Sequence, residues 1–214
     1  GGLADAGIDE LMELVDQVWD QMPFWAPWSR EKERVEARAS IERFLNAHRS
    51  PAAREVVGTE QSFSFEATLP DGQQVHLRGF ADRVEVTDDS RVVVVDLKTG
   101  KYPPPDKDLA EHPQLGIYQY AVEQGALADV AGEDARTGGA ELWQLRATKE
   151  PRPKVQHQPP QTPDAEGWLV AERQLAHAAR VIRSEEFPAM PGDHCRFCPF
   201  QAMCPARTTA GVIR

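Results

Sequence analysis

The chain has 214 residues, 41% of them hydrophobic and 27% charged, which is enough for one core with a small appendage and is ordinary for a globular protein. Its formal charge of −10 excludes a global attraction to polyanions, and no apolar run approaches the roughly 18 residues of a membrane helix. The cysteines crowd into one short stretch, Cys195, Cys198 and Cys204. That is unlike the disulfide framework of a secreted domain, and it points to a cytoplasmic protein with no membrane partner.

In chain order, Ile8, Leu11, Leu14, Val15, Val18 and Trp19 recur at helical spacing, as do Val35, Ile41, Phe44 and Leu45. Two helices are therefore expected, joined by a Pro- and Trp-rich elbow from Pro23 to Ser29. Trp25 and Trp28 are expected to pack in that elbow, with stacking on bases as the rarer alternative. From Arg54 to Val95 the period changes to two: Phe63 and Phe65 alternate with polar neighbours, Asp71-Gly72 marks a hairpin turn, and Asp88-Asp89-Ser90 marks a second turn. Three strands result, and Val92-Val93-Val94-Val95 reads as a strand buried on both faces.

After Pro103-Pro104-Pro105, residues 107–124 read as a helix and residues 140–147 as a fourth strand, parallel to the third because a helix crosses between them. Residues 151–163 read as a polar surface loop and residues 164–184 as an amphipathic helix. The division expected is a helical preface over residues 1–50, a core over 51–150, a loop and helix over 151–190, and a Cys-rich tail over 191–214.

Chemistry concentrates where the valine strand ends. In Asp96-Leu97-Lys98 the acid and the base are two apart and project from one face of the strand. A second acid, Asp82, lies in Gly79-Phe80-Ala81-Asp82-Arg83, and Gln114 and Tyr118 open a helix. Phosphodiester hydrolysis needs a site that holds a phosphate oxygen, lowers the pKa of water and neutralises the leaving oxyanion, which carboxylate-bound Mg²⁺ or Mn²⁺ can supply. Asp82 and Asp96 are the candidate ligands, and Lys98 is the group to stabilise charge on the reacting phosphate. Local cations that could draw in DNA are Lys98, Lys101 and Lys107. Arg146, Lys149, Arg152 and Lys154 read rather as a solvated face.

The ordered set Gly-Phe-Ala-Asp-Arg-Val-Glu, then a valine strand ending Asp-Leu-Lys-Thr-Gly, then Gln-x-x-x-Tyr resembles the PD-(D/E)XK nucleases of the RecB type. The resemblance implies an α/β fold with a restriction-endonuclease-like core, a mixed β-sheet flanked by helices, and a C-terminal Cys-rich tail. It implies Asp82 and Asp96 as metal ligands, Lys98 as the catalytic lysine, and Gln114 and Tyr118 as catalytic or supporting residues. Glu60 occupies the place of a further acid with a water-mediated or indirect metal role. RecB-type nucleases usually carry a histidine on a helix well before the first acid. His48 ends a helix in a polar stretch and does not match it, so that histidine is expected in sequence preceding Gly1 of a longer polypeptide.

His194-Cys195-Arg196-Phe197-Cys198, followed by Cys204, has the spacing C-x2-C-x5-C, suited to a metal or an iron–sulfur cluster. It resembles the iron–sulfur staple of the AddB and AdnB type, which implies a 4Fe-4S cluster whose fourth ligand is not in this chain. A zinc site using His194 is the alternative. The helical preface, with Val-Trp-Asp and Ala-Pro-Trp-Ser-Arg-Glu-Lys, is similar to actinobacterial helicase–nuclease subunits of the UvrD/RecB family. The function implied is a Mg²⁺- or Mn²⁺-dependent deoxyribonuclease, an exonuclease on single-stranded DNA, in a helicase–nuclease that resects double-strand breaks for recombinational repair. Its partners would be DNA, a parent helicase domain and a second subunit. The alternatives are a catalytically incomplete module that binds DNA or braces a partner subunit, and a nuclease of this fold acting alone.

Overall fold

The computed structural model describes residues 6–24 and 26–206, with the side chains of residues 27, 193 and 194 left aside. Five strands form one sheet in the order β1-β2-β3-β4-β5: β1 (Glu55–Thr68), β2 (Gln74–Val86), β3 (Arg91–Lys98), β4 (Arg136–Gln144) and β5 (Lys154–Gln158). Neighbours are antiparallel except β3 and β4, which run parallel. The parallel pair is the one the crossover helix required.

Helices cover both faces. On one side lie α1 (Ile8–Trp19) and α2 (Pro27–His48), with Phe44 and Ala47 of α2 packed on Val93, Val95 and Trp143. On the other lies α3 (Pro113–Glu123), whose Leu115, Tyr118, Ala121 and Val122 pack on Val92, Val94, Ala140 and Leu142. A short helix α4 (Ala128–Ala131) follows, and α5 (Val170–Ser184) joins Tyr120 and Leu69 through Ala171, Leu175 and Ala176. The alternation along β3 explains this layering. Val92, Val94 and Asp96 face α3, while Val93 and Val95 face α2, so the valine run is apolar throughout because both faces are covered. Among the described residues no helix is long and apolar enough to cross a membrane.

The structure departs from the sequence reading in four places. The helix expected over 107–124 begins at Pro113, after a 3₁₀ turn at Asp106–Glu111. Residues preceding proline are driven out of the helical region, and His112 is extended with ψ 115°. The stretch read as a polar surface loop contains β5, the edge strand. Its Gln156 and Gln158 are buried because their amides donate to the carbonyls of Pro104 and Leu109, so polarity there reflects internal hydrogen bonding rather than solvation.

Trp28 does not pack in the elbow but is exposed, and Trp25 lies outside the described residues. Trp19 closes the elbow instead, with its ring centroid 5.0 Å from that of Phe24. Finally, the α2 face of the sheet holds a buried ionic cluster that the hydrophobic pattern did not reveal. Arg83 pairs with Glu85, Arg54 bridges Glu85 and Glu141 at 2.6 Å each, and the Arg83 guanidinium lies 5.8 Å from the Phe44 ring and 5.5 Å from that of Trp143.

Candidate active site

The site forms where the pairing of β2 with β3 stops. The last pair of that ladder is Arg83 with Val95, while β3 stays paired with β4 as far as Lys98 and Gln144. Beyond Val95 the β2 side of β3 is therefore open, and the Leu97 amide donates to Asp82 Oδ2 at 2.7 Å in place of a backbone carbonyl. One further step of the register sets Asp82 opposite Asp96. On the other side of β2, Thr59 pairs with Arg83 and Gln61 with Ala81, so Glu60 stands opposite Asp82. The three acids thus lie in one row across three strands.

Asp96 is buried, and its two oxygens are treated differently. Oδ1 accepts from Gln114 Nε2 at 2.6 Å and from the Tyr118 hydroxyl at 2.9 Å. Oδ2 lies 2.6 Å from Lys98 Nζ, an ion-pair distance, but it receives no hydrogen bond of good geometry and is shielded from solvent. Lys98 Nζ instead donates to Gln114 Oε1 at 2.9 Å. Gln114 also donates to the Tyr118 hydroxyl at 2.9 Å, so one amide ties Lys98, Asp96 and Tyr118 together. Helical spacing makes this possible: Gln114 and Tyr118 are four apart and share the face of α3 that lies on β3.

Tyr118 proves to be both core and site. Its ring packs edge-on against Phe63, centroids 6.3 Å apart, while its hydroxyl serves Asp96. Burial, reinforced by the Asp96 charge, raises the pKa of this hydroxyl and keeps it a donor. Glu60 is exposed and adopts φ 48°, in the left-handed region that a residue with a Cβ occupies at a cost. It shares the row of acids with no direct contact to Asp96 or Lys98. Among the described residues no three carboxylate, imidazole or thiol groups close around a point.

Two groups at the site escaped the sequence reading. One is the Leu97 amide, invisible to any side-chain motif. The other is His112, whose Nδ1 is buried without a hydrogen-bond partner. Burial, then the Lys98 charge, lowers the His112 pKa. Its place immediately before Pro113-Gln114 was the only available signal.

Three of the further cations are neutralised locally. Arg146 lies 2.7 Å from Glu33, Lys101 lies 3.8 Å from Glu33, and Lys154 lies 3.1 Å from Asp106. Cys195, Cys198 and Cys204 line one small cleft of about 130 Å³, which none of the acids lines, without converging on a point. The His194 side chain lies outside the described residues.

A profile described as the PD-(D/E)XK nuclease superfamily matches residues 2–205, nearly the whole chain. The chain belongs to the PD-(D/E)XK nuclease superfamily. The mixed five-stranded sheet flanked by helices is the fold this membership implies, with Asp96 and Lys98 at the end of β3 and Asp82 within β2, where its pairing with β3 stops. No curated protein matches the sequence. A solved structure, "Crystal structure of SSO0001", is similar at 18% identity with a TM-score of 0.43, over 94% of this chain and 79% of that one.

Superfamily membership implies a divalent metal, and the donor set suits one. Asp96 offers a buried oxygen without a hydrogen bond, Asp82 stands opposite it, and both are hard oxygen donors of the kind Mg²⁺ and Mn²⁺ prefer.

Proposed function

We propose that this chain is a RecB-type nuclease domain that hydrolyses phosphodiester bonds of single-stranded DNA, with Asp82 and Asp96 holding Mg²⁺ or Mn²⁺. The observation that carries this reading is the bridge from Gln114 to both Asp96 and Lys98, which fixes an acid and a cation side by side at the open end of β3. A bound divalent ion would supply a low-pKa water and neutralise charge on the phosphate. Lys98 places a positive charge where the pentacoordinate phosphate develops negative charge, and Gln114 aims it. Tyr118 and Gln114 hold Asp96 Oδ1, which leaves Oδ2 for the metal, as hydrogen-bonded carboxylates around metals are generally oriented. Leu97 holds Asp82 in the same way. Glu60, in the same row, acts through water.

The substrate is read from the chemistry and the field. The net charge is −10, and Lys101, Arg146 and Lys154 are paired with acids, so the chain has little nonspecific grip on duplex DNA. A strand delivered by a motor needs little such grip, which supports an exonuclease acting on single-stranded DNA within a helicase–nuclease for break resection, beside a parent helicase domain and a second subunit. The cysteine spacing supports a 4Fe-4S cluster completed by a ligand from elsewhere. Three thiols lining one cleft fit such a cluster in kind, but they are not closed on a point and no catalytic step depends on them.

The absence of three converging ligands among the described residues favours one second reading, an incomplete nuclease module that binds DNA or braces a partner. A cleavage assay separates the two. Divalent-metal-dependent cleavage of single-stranded DNA, reduced roughly 10²–10³-fold in Lys98→Ala, supports the enzyme. Binding with no cleavage under any divalent ion supports the module.

A further inference from the structure

Beside the acids, Lys98 forms part of a second cleft of about 340 Å³, within the range of roughly 300–1,000 Å³ typical of small-ligand sites. Its floor is Leu142 and Gln144 of β4, 0% and 2% exposed; Pro104 and His112 form its walls, and Tyr102 stands at its rim with 92% of its surface open. Nothing in the catalytic arrangement uses Tyr102 or His112.

The walls of this cleft are held in place from below. Gln156 donates through Nε2 to the Pro104 carbonyl at 2.9 Å, and its Oε1 accepts from Gln144 Nε2 at 2.9 Å. Gln158 Nε2 donates to the Leu109 carbonyl at 2.6 Å and its Oε1 accepts from Gln119 at 2.8 Å. A ladder of buried glutamines from β4, β5 and α3 thus fixes the segment between Pro104 and His112 over the sheet edge. The cleft is preorganised, and an aromatic ring is presented to solvent at its mouth. The half-buried His112 ring lines the cleft beside Pro104.

We propose that this cleft seats the nucleobase adjoining the scissile phosphate, with the base stacked on Tyr102. The inference rests on the nuclease reading and deepens it. A phosphate at Lys98 places the neighbouring sugar and base within one nucleotide of Lys98, and the cleft is continuous with that position. Every base has a π-face, so stacking on one exposed ring grips single strands without reading sequence, and duplex bases, already stacked, have no free face to offer.

The test compares cleavage of a short oligothymidine with that of the same backbone lacking bases, in Mn²⁺, for the wild type, Tyr102→Ala, Tyr102→Phe and Tyr102→Trp. The wild type is expected to show a KM about tenfold lower for the base-bearing strand. Tyr102→Ala should lose that preference, raising KM far more than it lowers kcat, and Tyr102→Phe should restore it. Tyr102→Trp should add an indole emission that the base-bearing strand quenches and the abasic strand does not. Because Tyr102 is exposed, these variants leave the core intact. A wild type that cleaves both strands equally, or a Tyr102→Ala protein that keeps the preference, overturns the subsite and leaves the nuclease reading standing. A wild type that cleaves neither strand overturns both.

Discussion

The backbone amide of Leu97 donates to Asp82 Oδ2 at 2.7 Å, so the acid of β2 is hydrogen-bonded to the peptide between Asp96 and Lys98 of β3. The strand ladder ends there, and the bond that the sheet no longer makes is made by the Asp82 carboxylate. Fold and site are therefore one construction, since the place where two strands part is where the acids meet.

Gln114 and Tyr118 both serve Asp96 Oδ1, but only Gln114 also holds Lys98. Tyr118→Phe should consequently cost about 1 kcal/mol of stability, one net hydrogen bond, with a modest loss of activity. Gln114→Ala should lower kcat by roughly 10–100-fold, as loss of an orienting partner does. Denaturant midpoints and single-turnover cleavage rates on the two variants check the ordering. Equal losses in both would show that the bridge to Lys98 is unimportant.

Glu60 combines a strained φ of 48° with a place in the row of acids. Glu60→Gly should stabilise the fold by about 1 kcal/mol by relieving the left-handed backbone while weakening Mn²⁺ binding. Glu60→Gln should weaken binding without the gain in stability. Thermal denaturation paired with metal titration measures both quantities. Unchanged metal affinity in both variants would remove Glu60 from the site.

The ionic cluster on the opposite face sets acid stability. Burial alone would raise the Glu141 pKa, but hydrogen bonds from Arg54 and Trp143 outweigh it and hold the carboxyl below its ordinary value of 4.5. A group whose pKa falls on folding contributes stability that is complete above its unfolded value and is lost as pH drops through the folded one. The urea midpoint should therefore decline from about pH 4.5 downward, and less steeply in Glu141→Gln. Glu85→Ala, which strands the buried Arg83, should cost about 3–5 kcal/mol at neutral pH.

What could be read from the sequence divides along physical lines. Asp96 and Lys98 were legible because the strand period puts residues two apart on one face, whereas Asp82, Gln114 and Tyr118 were placed by the ordered family motif; hydrogen bonds join Gln114 and Tyr118 to Asp96, and Asp82 to the Leu97 amide. The β5 strand was not legible. Its period-2 pattern is carried by glutamines, whose burial depends on carbonyls some fifty residues away that no local window contains. Arg83 and Glu85 were missed for a related reason, since charged residues in a strand read as solvent-facing unless their partners are known. His112 approaches Lys98 only because the loop from Pro103 folds back on β5. Glu60 was placed by the family pattern, and strand register sets it opposite Asp82.

The cysteine tail makes a separable prediction. Reconstitution with iron and sulfide should give visible thiolate-to-iron absorption that Cys198→Ser abolishes and a chelator removes, and nuclease activity should survive this loss because the cysteine cleft is lined by none of the site residues. A colourless protein carrying zinc would replace the cluster with the alternative ligand set.

The most direct measurement is a titration of Mn²⁺ into the wild-type chain and Asp96→Asn, following heat and the cleavage of single-stranded DNA in the same samples. Heat and cleavage that rise together in the wild type and both vanish in Asp96→Asn are the predicted result. Cleavage that persists undiminished in Asp96→Asn would contradict the assignment of the site.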